Sequence, residues 1–417
     1  VGELVWNSDL KTAQFAYFDS FIKSGIELSP YLMPLGEDIY SFPNLSKKTF
    51  KGLPPMFSDS LPDAFGNKLM NDWMRSRNLK TGDFNVLFRL SYVGNRGAGA
   101  LEYLPITKGF ELPDKVDFNE VLKIVRRINQ EKENIRVPVQ TENSNALNML
   151  YGFGGSVGGA RPKMFIAIDR EKKEMYAGDT PPKPGVEYYL IKMSKDPDIE
   201  IGDSPHYGKV EFAYYKMAQA CGIQISDSFL WDDRHFCTKR FDRDAQGNKF
   251  HYQTFNSFFG VDFEDVREYS YEKFFGHMKD LKLPQQDLNE FFRRMCFNVI
   301  AMNRDDHTKN HSLILKDDKQ WRLANAYDLC FSYEPNHTWV GEQCLSVNRK
   351  TESINISDLM EVGERFAIKN PDLIIEKTMD IVADFPTYAE SVDVPKSMYM
   401  KMHQIIQNQE IYQSPLK

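Results

Sequence analysis

Residues 303–310, NRDDHTKN, set two aspartates, two asparagines, a histidine, an arginine and a lysine in eight positions. A loop that transfers a phosphoryl group needs a carboxylate to orient or deprotonate the acceptor hydroxyl. It also needs an amide or carboxylate close by to hold Mg²⁺. Arg304 and Asp305, with Asn310 five positions after the aspartate, have the R-D-x-x-x-x-N spacing of kinase catalytic loops. A further cation-holding carboxylate is required downstream, and Asp328 in AYDLCFS, at the end of a strand-like run, stands in that place. His307 and Lys309 add positive charge where phosphate oxygens would lie. Asp306, the second acid, would share the metal or face solvent. Two other readings of the stretch stay open. His307 and His311 have the i,i+4 spacing of zinc ligands on a helix, but no HExxH glutamate accompanies them and HSLILK reads as strand. A solvated turn would also suit the composition, and would leave Asp328 and the glycine-rich loop unrelated.

That second loop is GFGGSVGGARPK, with four glycines in six residues around Ser156. Such a backbone can approach a ligand closely and offer free N–H groups, although a flexible hairpin turn has the same composition. It is not a Walker A loop, because no Lys-Ser/Thr follows the last glycine. Lys163 begins the next strand and would aim its ammonium at a phosphate. Lys192 sits at the centre of the apolar strand YYLIKMS, where a charge carries a desolvation cost. It reads either as a phosphate-pairing lysine or as an edge-strand residue facing water. Glu211, on the following helix, is a candidate ion-pair partner and equally an exposed helical glutamate.

The elements that must position these residues change along the chain. In the first hundred residues GELVW, AQFAYF and NVLFRLSYV read as strands from their β-branched and aromatic content. DAFGNKLMNDWMRSRN reads as an amphipathic helix, and so does 117–133. From about 145 a glycine-rich loop, a strand hairpin, the strand EYYLIKMS and the helix YGKVEFAYYKMAQACGI follow, then the strand pair HFCTKRFDRDAQGNKFHYQT. Beyond about 265 helices dominate, interrupted near 312–345 by strands. The expected class is α+β, a two-lobed kinase-like arrangement with a strand-rich N-terminal part and a mainly helical C-terminal lobe. The expected divisions are 1–140, 141–255 and 256–417.

The balance of 52 Lys and Arg against 59 Asp and Glu gives a net charge of −7, which gives no support for nucleic-acid binding by the chain alone. Five scattered cysteines without a CxxC suit reduced buried thiols. No apolar run approaches a membrane span and no signal peptide is visible. Because the chain opens on VGELVW, a short N-terminal piece is expected to have been trimmed. A cytoplasmic protein is expected.

Taken in order, the glycine loop, the strand lysine, the helix with its glutamate, the strand pair, D-x-x-x-x-N and the downstream aspartate follow the layout of a kinase-like nucleotide site. With them the chain resembles the HipA family, the serine/threonine kinase toxins of bacterial toxin–antitoxin modules. GLPPMFSDSLPDAFGNKLM and VGNRGAGALEY resemble that family's N-terminal region; GGSVGGARPK, LIKM, KRFDRD, NRDDHTKN and AYDL resemble its kinase core. The resemblance implies Asp305 as the catalytic carboxylate and Asn310 and Asp328 as Mg²⁺ ligands. It implies that ATP is held by Val157, Gly158, Gly159, Ala160, Arg161, Pro162 and Lys163 of the loop, and by Lys192. Lys239, Arg240 and Phe241 would lie along the adenine hinge, and His307, Lys309, Asn310, Tyr327 and Asp328 would complete the nucleotide site. Ser156 matches the loop serine that family members autophosphorylate. The resemblance further implies a protein substrate of the aminoacyl-tRNA synthetase type, growth arrest and persistence as the outcome, and a helix-turn-helix antitoxin (HipB-like) through which DNA is contacted. The alternatives are a small-molecule kinase and a nucleotide-binding transcriptional co-regulator acting with an antitoxin-like partner.

Overall fold

The computed structural model describes residues 1–80, 82, 84–108, 115–130, 162–194 and 206–413, with 126–130 described by backbone alone. The chain divides into two compact units. The first comprises Val1–Met193, Cys237–Gln253 and Ser257–Gly260; the second comprises Ser194–Phe236, Thr254–Asn256 and Val261–Lys417. Ser156, Val157, Gly158, Gly159, Ala160 and Arg161 lie outside the described residues.

The first unit opens with strand β1 (Gly2–Asn7) antiparallel to β2 (Thr12–Tyr17), which pairs in turn with β3 (Ile39–Tyr40). Phe15 and Tyr17 turn inward from β2 and meet edge to face at 4.7 Å. Helix Ala64–Ser76 starts where the Asp63 carboxylate accepts the Gly66 amide at 2.7 Å. It buries Phe65, Leu69, Met70, Trp73 and Met74 along one stripe. NVLFRLSYV is not a strand. Val86–Val93 is a helix, capped by the Asn85 side chain accepting the Leu87 amide at 3.0 Å and ended by Gly94 at a φ of 59°. Val86, Leu90 and Val93 are buried at helical spacing, so the cap and one-sided burial outweigh the β-branched and aromatic content.

After helix Phe118–Gln130 come β4 (Lys163–Asp169), β5 (Glu174–Ala177) and β6 (Val186–Lys192). In the second unit β7 (Ser228–Trp231) leads into β8 (His235–Lys239), whose residues from Cys237 onward belong to the first unit. Within the first unit β5, β4, β6 and β8 lie side by side in that order. One face of β4 and β6 carries Met164, Ile166, Ile168, Tyr189 and Ile191, all essentially without exposure. The other face begins with Lys163 directly opposite Lys192.

Immediately after β8, Arg240 grips the Asp242 carboxylate at 2.7 and 2.8 Å, and Arg243 reaches the same group at 2.9 Å. Asp242 also accepts the Gly99 amide at 2.6 Å, and both arginines bond the Gly97 carbonyl. Burial alone would raise the Asp242 carboxyl, but Arg240 and Arg243 hold it well below its ordinary value. KRFDRD therefore fastens the glycine-rich connection 94–99 by a buried, fully hydrogen-bonded ion cluster.

The second unit is mainly helical. Helices Tyr207–Cys221, Tyr271–Asp280, Gln285–Ile300, Ile356–Arg365, Pro371–Ala383, Phe385–Glu390 and Lys396–Gln407 pack around Phe274, Phe275, Phe291, Phe292 and Phe297, all fully buried. Between them β9 (Tyr252–Thr254) brings the chain back from the first unit, and β10 (Ser312–Leu315) with β11 (Trp321–Leu323) forms an antiparallel hairpin. A buried network ties the hairpin down: Asp287 accepts Arg322 at 2.7 and 2.8 Å and the Leu323 amide at 2.9 Å. All five cysteines are free thiols. Among the described residues no helix is long and apolar enough to cross a membrane.

Candidate active site

Helix Gln285–Ile300 delivers the chain into the polar loop. Ala301 caps it, and Tyr214 Oη donates to the Ala301 carbonyl at 2.6 Å. Met302 then takes a left-handed φ of 55°, which turns the chain sharply before Asn303. The loop does not behave as a solvated turn, since Asn303, Asp306, Thr308 and His311 are all buried. It runs alongside the segment after β11: Asn303 bridges Ser332, and the Arg304 amide donates to the Ser332 carbonyl at 3.1 Å.

Asp305 is the exposed member of the pair, its side chain 40 % accessible. Its Oδ1 accepts the Trp339 indole N–H at 2.6 Å and lies 3.7 Å from His307 Nε2. His307 Nδ1 accepts the Lys309 amide at 3.2 Å, so in the neutral ring the proton sits on Nε2, facing Asp305. Phe263, His307 and Trp339 meet at ring-centroid distances of 5.5 to 5.9 Å around the carboxylate, and the Lys309 ammonium lies 4.1 Å over the Phe263 ring.

Asp306 neither faces solvent nor joins its neighbour. It is fully buried and accepts Tyr271 Oη at 2.7 Å, Gln343 Nε2 at 3.0 Å, the Cys344 amide at 2.8 Å and the Leu345 amide at 3.4 Å. Burial pushes its carboxyl up to about 7, while these donors pull the other way. Tyr271 and Cys344 are pushed up by burial, with the Asp306 charge adding to it.

Asn310 Nδ2 donates to the Asp305 carbonyl at 2.6 Å, leaving Oδ1 as the group that can meet a cation. Tyr327 Oη donates to the Lys309 carbonyl at 2.8 Å and also contacts Ser312 Oγ, which stitches 327–328 to the loop. Asp328 has a φ of 53°, and its carbonyl accepts Asn303 Nδ2 at 3.5 Å. A carboxylate and an amide oxygen are the hard donors Mg²⁺ takes while keeping waters and substrate oxygens, so this donor set fits that ion. His311 is enclosed by Phe255, Tyr271 and Phe291, and burial pushes it down to about 3. Among the described residues no group of three or more His, Cys, Asp and Glu is placed to hold a metal.

In the first unit, β6 is an inner strand between β4 and β8, so Lys192 is not an edge residue. Lys163 is 5 % exposed and directly opposite it, in the cross-strand position where side chains are closest. Pro162 joins the two strands through its carbonyl, which accepts the Met193 amide at 2.9 Å. Lys239 pairs with Glu187, and Arg240 is 3 % exposed, locked in the Asp242 cluster with its guanidinium 3.6 Å over Phe165. Phe241 packs edge-on against Tyr252 at 5.2 Å. Glu211 is buried on helix Tyr207–Cys221 rather than exposed. Sequence reasoning missed Trp339, Gln343 and Tyr271; a tryptophan in the polar run NHTWVGEQC was the available signal for the first.

One unit thus sets two strand lysines opposite each other, and the mainly helical other unit carries an acidic loop at the end of a buried helix. A HipA N-terminal domain profile matches residues 1–104 and a HipA-like C-terminal domain profile matches residues 155–387. The chain belongs to the HipA family. Its structure is similar to that of Shewanella oneidensis MR-1 HipA, solved with HipB and operator DNA. The TM-score is 0.61 at 17 % identity, over 100 % of this chain and 98 % of that one. It is also 35 % identical over 91 residues to Y4dM of Sinorhizobium fredii, which carries a kinase designation; that match takes in 22 % of each chain.

Proposed function

We propose that this chain is an ATP- and Mg²⁺-dependent serine/threonine protein kinase of the HipA type. The observation that carries the reading is the acidic loop itself, where Asp305 is partly exposed and held by Trp339, Asn310 closes the loop onto the Asp305 carbonyl, and Tyr327, beside Asp328, bonds the Lys309 carbonyl. Asp305 would accept the hydrogen bond of an incoming hydroxyl and take its proton as the bond to the γ-phosphorus forms and the bridging P–O bond breaks, ADP leaving. Asn310 Oδ1 and the Asp328 carboxylate would hold Mg²⁺, which supplies charge neutralisation at the phosphate oxygens. Lys163 and Lys192, opposite each other in the sheet, would bind ATP phosphate oxygens through charge-assisted hydrogen bonds. His307 and Lys309 add donors on the loop, and catalysis rests on positioning and electrostatics.

Ser156 is the proposed autophosphorylation site, the loop to Lys163 covers the nucleotide, and the 239–241 segment offers its backbone to adenine. A protein acceptor, with an aminoacyl-tRNA synthetase as the family precedent, and a HipB-like helix-turn-helix antitoxin that carries the DNA contact complete the reading. The test is incubation of the purified chain with Mg-ATP, followed by mass spectrometry. Phosphate on Ser156 in wild type, absent from Asp305→Ala and Asp328→Ala, supports the reading. Equal phosphorylation in all three sinks the site assignment.

A further inference from the structure

The segment after Asn336 is fastened to the loop residue by residue. Gln343 Nε2 donates to the Asn303 carbonyl at 3.3 Å, and Arg304 donates to the Gly341 carbonyl. Trp339 donates to the Asp305 carboxylate at 2.6 Å, and Gln343, Cys344 and Leu345 donate to Asp306. At its start the same segment makes a tight turn: the Trp339 and Val340 amides donate to His337 Nδ1 at 3.1 and 3.2 Å, and the Gly341 amide to the His337 carbonyl at 2.9 Å. The Trp339 backbone is thus set by a turn on one side and by the Asp306 anchor on the other. Its ring is wedged against Phe263 and His307.

We infer that Trp339 is a positioning residue: its indole N–H holds Oδ1 of Asp305 and thereby presents the other carboxylate oxygen to the acceptor hydroxyl. An aspartate side chain rotates freely when solvated, and a base loses most of its advantage when its reactive oxygen is misplaced by an ångström. A donor to a carboxylate is among the stronger protein hydrogen bonds, and this one comes from a rigid ring that cannot follow a rotating partner. The buried Asp306 gives the clamp its second point, which accounts for two aspartates in succession with opposite exposures. The role in phosphoryl transfer rests on the function proposed above, whereas the contact stands independently of it.

The experiment uses the full chain and two substitutions. Trp339→Phe keeps an aromatic ring at the position facing Phe263 and His307 and removes the indole N–H together with part of the bicycle. In a chain isotopically labelled at its five tryptophans, the indole resonance missing from Trp339→Phe belongs to Trp339. That resonance is expected downfield of the others in wild type and shifted upfield in Asp305→Ala. With Mg-ATP and a protein acceptor, Trp339→Phe is expected to lower kcat roughly ten-fold while the KM for ATP stays unchanged. An indole resonance indifferent to Asp305→Ala overturns the contact, and a wild-type kcat in Trp339→Phe overturns the positioning role. Failure of wild type to transfer phosphate at all contradicts the kinase reading, with the resonance still deciding whether the contact exists.

Discussion

Lys163 and Lys192 lie far apart in the chain, yet strand register brings them side by side; Asp305 and Asp306 are chain neighbours, yet their side chains part company. In the strands of the first unit the fold sets two lysines directly opposite each other. In the loop of the second unit it separates like charge, burying one carboxylate among four donors and leaving the other partly exposed beside the Trp339 N–H and the His307 ring. Under the proposed function the first arrangement takes an anion, the nucleotide phosphate. The second needs none, because its electrostatics are settled internally, and what it supplies is a fixed direction.

The contrast breaks first, if it breaks, at Asp305. Asp305→Ala should lower phosphoryl transfer by a hundred- to ten-thousand-fold, on the order expected for loss of a general base, with little change in stability. Asp306→Ala should do the reverse, costing roughly 2–4 kcal/mol in urea unfolding because Tyr271, Gln343 and the Cys344 amide would be left as buried donors without an acceptor. Lys192→Ala should raise the KM for ATP by on the order of ten-fold and leave the urea midpoint nearly unmoved.

Stability against pH sharpens the comparison further. Asp306 in the folded chain titrates at about 7, above its ordinary value of 3.8, so between those values the folded chain holds a proton that the unfolded chain has lost. The stabilisation is complete below the lower value and is lost as pH rises through the higher one. The difference in unfolding free energy between wild type and Asp306→Asn should therefore fall as pH rises across this window, and a flat difference would contradict the burial argument.

Much of this site was legible as residue types. The acid–amide step from Asp305 to Asn310, Asp328 beyond it and the two lysines are all visible in the linear sequence, because such chemistry requires unusual residues in otherwise apolar surroundings. Asp306 was visible as an acid but not as a buried one. Its four donors come from Tyr271 and from 343–345, and only tertiary packing brings those segments together. The lysine pairing was hidden for a similar reason, since β5 intervenes in sequence between β4 and β6 and the register of the two strands cannot be counted from either one alone. NVLFRLSYV has the β-branched and aromatic content of a strand, but the Asn85 cap and burial at 86, 90 and 93 make it a helix. KRFDRD gave no hint that Arg240 spends its charge on Asp242 and the Gly97 carbonyl rather than on a ligand.

The central claim is the division of labour between nucleotide-binding lysines and an oriented catalytic aspartate. The direct measurement is ATP affinity alongside phosphoryl transfer for wild type and Asp305→Ala in Mg²⁺ buffer. An unchanged Kd for ATP with transfer abolished is the result predicted; transfer by Asp305→Ala at the wild-type rate would contradict it.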